Sequence, residues 1–120
     1  MCSCVNVKVK YIRPEFDNLR EWNESDNNLY IGRRGVVFIK TEEGKERYPK
    51  QDSKWCNPFK IKRNNTREDV LEKYERYILE KIREEPEKYN LKELIGKKLG
   101  CWCHPERCHG DILIKLLNNI

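Results

Sequence analysis

The chain has 120 residues, six of them cysteine, with 38% charged and 38% hydrophobic residues and a formal net charge of +5. That length builds one domain around one modest core, and no apolar run approaches the roughly 20 residues that span a bilayer, so a membrane protein is excluded at the outset. The N-terminus, Met1-Cys2-Ser3-Cys4-Val5, lacks the basic start and apolar stretch of a secretory signal. This predicts a cytoplasmic, reducing location, where cysteines are free, metal-bound or catalytic rather than paired in disulfides.

From the N-terminus, Val5 to Ile12 alternates apolar and polar residues with period two, the pattern of a half-buried strand, and Arg13-Pro14 ends it. Residues 15–28 are polar and turn-rich. Leu29-Tyr30-Ile31-Gly32 and Val36-Val37-Phe38-Ile39 are two short β-type runs separated by Arg33-Arg34-Gly35. Glu42-Glu43-Gly44-Lys45 reads as a turn, with a brief return strand through Tyr48 before Pro49. Ser53 to Ile61 has no clean period, and its Trp55, Asn57, Pro58 and Phe59 suit an ordered loop, because a floppy one would leave large aromatic surface in water.

A helix follows. Thr66 can cap it, with Asp69 three residues on as capping-box partner. Val70, Leu71, Tyr74, Tyr77, Ile78 and Ile82 then recur on one face until Glu85-Pro86 ends the pattern. Asn90 and Glu93 bracket a short helix, Leu91 to Ile95, stopped by Gly96. Lys98 to Cys103 reads as a strand with Leu99, Cys101 and Cys103 on one face and Trp102 on the other. The last helix has Pro105 in its first turn and a stripe of Ile112, Leu113, Leu116, Leu117 and Ile120. The expected fold is a single α/β domain, a small mixed sheet with three helices packed on it, with an α+β arrangement as the alternative.

Chemistry concentrates near the C-terminus. Cys101-Trp102-Cys103-His104-Pro105-Glu106-Arg107-Cys108-His109-Gly110-Asp111 holds three of the six cysteines and both histidines. Three readings stay open. The cysteines can be small buried hydrophobes. Cys101, Cys103, Cys108 and a histidine, His109 foremost, can supply the four ligands of a zinc site; the C-x-C spacing is tighter than an ordinary knuckle, and Cys2 or Cys4 can contribute only if the fold brings the first strand alongside. Or Cys103 or Cys108 is a nucleophile, with His109 as base and Asp111 as orienting group. Cys103 pairs with His109 more easily than Cys108 does, because adjacent helical residues point about 100° apart. A thiol at a helix N-terminus is also expected to lean toward thiolate.

Basic residues form a second feature. Lys54, Lys60, Lys62, Arg63 and Arg67 fall in one stretch without an acid, and Arg33-Arg34 adds a further pair. With Tyr30, Trp55 and Phe59 nearby, this suits a phosphorylated or polyanionic partner, although charge runs are commonly solvated surface.

Several blocks taken together are familiar: Tyr30-Ile31-Gly32-Arg33; Ser53-Lys54-Trp55-Cys56-Asn57-Pro58-Phe59; Thr66-Arg67-Glu68; Gly96-Lys97-Lys98-Leu99-Gly100-Cys101-Trp102-Cys103; and Pro105 with Cys108-His109-Gly110-Asp111. In these the chain resembles the domain of unknown function 4326 family, small proteins of phages, large DNA viruses, bacteria and some eukaryotes. The resemblance covers about residues 28–118. Glycine is usual in that family where this chain has Cys56, which argues against Cys56 as a shared ligand or nucleophile; Cys2 and Cys4 lie outside the resemblance. It brings no settled activity, but separated blocks forming one signature imply that they meet in the fold. Arg33, Lys54, Trp55, Asn57, Arg67 and the Cys-His-Gly-Asp turn would then line one cleft. The bases would hold phosphate, Trp55 or Trp102 would stack on a ring, and Asp111 would meet a hydroxyl. The expected function is binding of a phosphate-bearing nucleotide-like ligand or of nucleic acid. The competing expectations are a zinc-stabilised binding module without catalysis and a cysteine- or metal-dependent enzyme acting on such a ligand.

Overall fold

In the computed structural model, which describes residues 3–60, 65–102 and 107–119, the strand before the C-terminal cysteines is the centre of the molecule. The elements are β1 (Ser3–Asn6), α1 (Val9–Ile12), α2 (Leu19–Glu24), β2 (Asn28–Tyr30), β3 (Val37–Thr41), β4 (Gly44–Tyr48), α3 (Arg67–Glu84), a 3₁₀ turn (Leu91–Leu94), β5 (Lys98–Cys101) and α4 (His109–Asn118). β5 lies between β1 and β2 and runs parallel to both, with Leu99 opposite Cys4 on one side and Leu29 on the other. β3 and β4 form a separate antiparallel hairpin. The fold is therefore mixed α/β, but its parallel and antiparallel strands occupy two sheets rather than the expected one.

Both faces of the parallel sheet are covered, as parallel sheets require. On one face Leu99 and Cys101 are buried with Leu71, Tyr74 and Ile78 of α3, Leu91 and Leu94, and Ile112 and Leu113 of α4. On the other, Tyr30 joins Val7, Ile12 of α1, and Leu19 and Trp22 of α2. Trp102 packs with this second cluster, opposite Leu99 and Cys101, as strand alternation requires.

Local chemistry accounts for the boundaries. At α3, Thr66 Oγ1 accepts the Asp69 N–H at 3.1 Å and Asp69 Oδ2 accepts the Thr66 N–H at 3.0 Å, a complete capping box. Val70, Leu71, Tyr74 and Ile78 form the buried stripe, each contributing about 1.5–3 kcal/mol on burial. The stop before Pro86 and the turn at Gly96, whose φ is 76°, are as the sequence indicates.

The strand expected over Val5 to Ile12 ends early, at Asn6. Asn6 Oδ1 accepts the Lys8 N–H at 3.0 Å, turning the chain, and the remaining apolar positions become the helical turn α1. The polar stretch 15–28 contains a helix: Asn18 Oδ1 accepts the Glu21 N–H at 2.9 Å and starts α2, which buries Leu19 and Trp22. At the other end α4 begins at His109 rather than around Pro105; Pro105 and Ile120 lie outside the described residues.

Gly100 marks the tightest packing around the central strand. A Cβ there would lie 2.6 Å from Trp22 Cη2 and 2.7 Å from Val7 Cγ1, so the sheet and α2 meet only because the side chain is absent. Gly100→Ala is expected to destabilise the protein by about 1–3 kcal/mol. Urea unfolding checks this, the midpoint falling while the slope is retained.

Candidate ligand cleft and cysteine cluster

Beyond the C-terminal ends of β2 and β5 lies a cavity of about 310 Å³. In open parallel sheets this edge is where ligands bind, since loops diverge there and helix N-termini point in. Gly32 and Arg33 follow β2, Cys101 and Trp102 close β5, and Cys108 and His109 open α4; Asn57, Phe59 and Lys60 come from the loop, and Arg67, Val70 and Leu71 from the start of α3. Six positions singled out in the sequence thus meet here: Arg33, Asn57, Arg67, Trp102, Cys108 and His109.

The cleft's groups are held in place. Arg33 donates to the Asn57 carbonyl from Nε (3.2 Å) and Nη2 (2.8 Å), and from Nη2 to the Phe59 carbonyl at 3.1 Å. Among the described residues no carboxylate pairs with it, so its charge is positioned but not neutralised. Asn57 Oδ1 accepts the Phe59 N–H at 2.9 Å, shaping the same loop. Arg67 donates to the Arg107 carbonyl at 2.9 Å. Trp102 Nε1 donates to Tyr30 Oη at 2.9 Å, and that hydroxyl donates to the Arg33 carbonyl at 2.9 Å. The half-buried indole is fixed as a flat wall rather than a swinging side chain.

His109 turns its Nε2 to the Ile31 carbonyl at 2.6 Å and packs edge-on against Tyr74, with ring centroids 5.1 Å apart. A carbonyl only accepts, so Nε2 carries the proton. Burial lowers the pKa of His109, with the Ile31 hydrogen bond opposing, and the ring is neutral near pH 7. Asp111 does not line the cleft; its Oδ2 accepts the Cys108 N–H at 2.9 Å and fixes the first turn of α4. It orients Cys108 through the backbone, and no contact with a ligand hydroxyl follows from its placement.

Behind the cleft floor, Cys4, Cys101 and Cys108 gather their sulfur atoms within 4.8 Å of one another. The Cys108 thiol donates to Cys101 Sγ at 3.3 Å, well beyond the roughly 2.05 Å of a disulfide. Cys101 and Cys108 are buried and Cys4 is half-buried. The helix N-terminus does not make Cys108 a thiolate. The hydrogen bond to Cys101 and burial push its thiol up to about 12, against an opposing contribution from Cys4. Cys4 is raised too, by hydrogen bonds to Cys101 and Cys108 and by burial. The set can hold a metal ion, but it differs from the expected one. His109 is committed to Ile31, Cys103 lies outside the described residues, and Cys4 takes part because β1 pairs beside β5. The signal was conditional on strand order, which no local pattern supplies.

Two expected ligand contacts lie elsewhere. Trp55 is only 1% exposed, deep in the core, with Nε1 donating to Glu93 Oε1 at 3.0 Å and its ring edge-on to Tyr89. It plugs the loop and offers no stacking face. Lys54 pairs with Glu93 Oε1 at 2.6 Å and donates to the Lys88 carbonyl, away from the cleft. Its attraction to Glu93 wins because the Trp55 indole fixes that carboxylate beside it. Lys60, which the sequence showed only as part of a charge run, lines the cleft instead.

The architecture is that of an α/β protein with a basic cleft at the C-terminal edge of a parallel sheet. The chain belongs to the family described as Domain of unknown function (DUF4326), which it matches over residues 16–119. The match reaches further toward the N-terminus than the blocks from residue 28 onward and takes in α2, while Cys4 precedes it. The chain is 41% identical over 73 residues to an uncharacterized protein of Acanthamoeba polyphaga mimivirus, covering 54% of this chain and 53% of that protein. It is 36% identical over 56 residues to an uncharacterized 12.4 kDa protein from the nrdA-td intergenic region of Enterobacteria phage T4, covering 46% of this chain and 52% of that one. The chain spans about half the length of these curated relatives. No solved structure matches it. Among the described residues no helix is long and apolar enough to cross a membrane.

Because Asp111 acts on the backbone of Cys108, Asp111→Ala is expected to cost about 0.5–1 kcal/mol of stability through the lost cap. Asp111→Asn, which keeps an acceptor oxygen, should recover most of it. Thermal unfolding of the two variants measures the difference.

Proposed function

We propose that the protein binds a phosphate-bearing, nucleotide-like ligand in the cleft between the β2 and β5 ends and the start of α4. One observation carries this reading: three cationic residues, Arg33, Lys60 and Arg67, surround an apolar-floored cavity that has the fixed Trp102 indole in its wall. Cations over an apolar floor match a molecule with an anionic end and a flat hydrophobic end. Arg33 suits the phosphate best, since its fork is preset by two loop carbonyls and little side-chain freedom remains to be lost. Trp102 would stack on the ring.

Size favours a small ligand over a duplex. A volume of about 310 Å³ sits at the lower end of small-molecule pockets, which run from roughly 300 to 1,000 Å³. A nucleic acid would enter as a single nucleotide or strand end, with Trp102 as stacking surface.

Calorimetric titration with inorganic phosphate, nucleoside mono-, di- and triphosphates and a short single-stranded oligonucleotide tests the proposal. A nucleoside phosphate should bind more tightly than phosphate or nucleoside alone and quench tryptophan fluorescence. Lys60→Gln and Arg67→Gln should each weaken it about tenfold or more, the scale of a charged hydrogen bond, with melting temperature retained. Lys54→Gln, outside the cleft, should leave affinity unchanged. If the oligonucleotide binds best, its affinity should fall steeply with salt. Unchanged affinity in the Lys60→Gln/Arg67→Gln double variant would place the ligand elsewhere.

A second reading, a zinc-stabilised binding module, is favoured by the three gathered thiols. Zinc on Cys4, Cys101 and Cys108 would tie β1, β5 and α4 together, and its binding free energy would add to folding. Protein purified without chelator should then carry about one equivalent of zinc by elemental analysis, and a chelator should lower its melting temperature.

A further inference from the structure

We infer that the ion held by Cys4, Cys101 and Cys108 has only three protein ligands and keeps its fourth coordination position open toward the cleft. The inference rests on the zinc reading and deepens it: the ion is a ligand-contacting centre rather than a closed structural clamp.

The spacing fits the ion. With zinc–sulfur bonds of about 2.3 Å, tetrahedral coordination places sulfur atoms about 3.8 Å apart. The Cys101–Cys108 separation of 3.3 Å and the 4.8 Å limit on the set bracket that value, so small side-chain rotations suffice. The approach of Cys4 is built into α4. A Cβ on Gly110 would lie 2.3 Å from Cys4 Sγ, so the thiol from β1 occupies space that only glycine leaves at this helix position.

Three ligands, not four, follow from the neighbours. Among the described residues no further histidine, cysteine or carboxylate donor joins the group. The adjacent imidazole has its Nε2 on the Ile31 carbonyl. Three protein ligands with an exchangeable fourth position are the pattern of zinc sites that act on bound molecules, whereas structural sites are closed by four. The open side has a direction. Cys101 and Cys108 line the cleft and Cys4 does not, so the side of the cluster away from Cys4 faces the space assigned to the ligand. Three thiolates and a dication leave one net negative charge, and Arg33, Lys60 and Arg67 supply compensating charge around the same cavity.

Cobalt(II) is the spectroscopic probe, because its thiolate charge-transfer band reports sulfur ligation and its ligand-field bands report coordination number. The full chain should bind one equivalent of cobalt with sulfur charge-transfer absorption. Azide, a small exogenous donor, should then shift the ligand-field bands as it occupies the fourth position. His109→Ala and Cys103→Ser should retain both responses, while Cys4→Ser should weaken cobalt binding at least tenfold. The azide response of the unaltered protein needs no variant to fold. A spectrum indifferent to azide overturns the inference, and loss of the ion in Cys103→Ser would name the fourth ligand that closes the site; the zinc-stabilised reading would survive either result. Failure of the unaltered protein to bind cobalt or zinc would remove both.

Discussion

The placement of β5 between two parallel neighbours is the constraint on which the remaining structure depends. A strand buried on both faces can carry no charge there, and Leu99, Gly100 and Cys101 meet that requirement. Its two neighbours come from distant parts of the chain, so the pairing puts Cys4, Leu29 and Leu99 in one row. Because all three strands run the same way, their C-terminal ends open on one side, where Arg33, Trp102 and the start of α4 converge. The cleft and the thiol cluster are consequences of one strand order.

Close packing around that strand uses absent side chains on both faces. Gly100 admits Trp22 from one side of the sheet, and Gly110 admits Cys4 on the other. Each replaces what would be a steric collision with dispersion contact, and interiors packed at crystal-like density tolerate few alternatives. The tyrosine, tryptophan and arginine beside the cleft follow the same logic. Tyr30, Trp102 and Arg33 are linked through a hydrogen-bonded chain, so the polar ends of large side chains are satisfied where their apolar bodies are packed.

What the sequence reveals here depends on the range of the interaction. Capping and helical periodicity act within a few residues, and the Thr66–Asp69 box, the α3 stripe, the stop at Gly96 and the β3–β4 hairpin were all legible. Short side-chain-to-backbone bonds at Asn6 and Asn18 defeated pattern reading, because an asparagine turn interrupts a period-two run without changing its hydropathy. Trp55 and Lys54 show the limit for site residues. A tryptophan beside lysine and asparagine looks the same in sequence whether its ring faces a ligand or the core, and only the Glu93 carboxylate, 38 positions away, decides. The cleft was legible as a set of blocks, since Arg33, Asn57, Arg67, Trp102, Cys108 and His109 do meet. Lys60 was hidden within a charge run.

The thiol cluster shows most clearly how folding changes the chemistry suggested by spacing. In sequence, Cys101, Cys108 and His109 look like partners in one site. Folded, the imidazole is held on Ile31 by its own hydrogen bond, and a cysteine almost a hundred positions earlier replaces it. The exchange alters the chemistry on offer. A thiol beside a free imidazole base is a candidate nucleophile, whereas thiols packed against one another raise each other's pKa and stay protonated unless a cation joins them. Three thiolates cannot share so small a buried volume without compensation, because their mutual repulsion adds to the cost of removing each from water. The cluster therefore has two low-energy states, a hydrogen-bonded set of neutral thiols or a metal thiolate. The choice between them also sets the charge on the cleft floor. Neutral thiols leave the field of Arg33, Lys60 and Arg67 uncompensated and favour an anionic ligand, while a metal thiolate offsets part of that field and adds a site that recognises a donor atom.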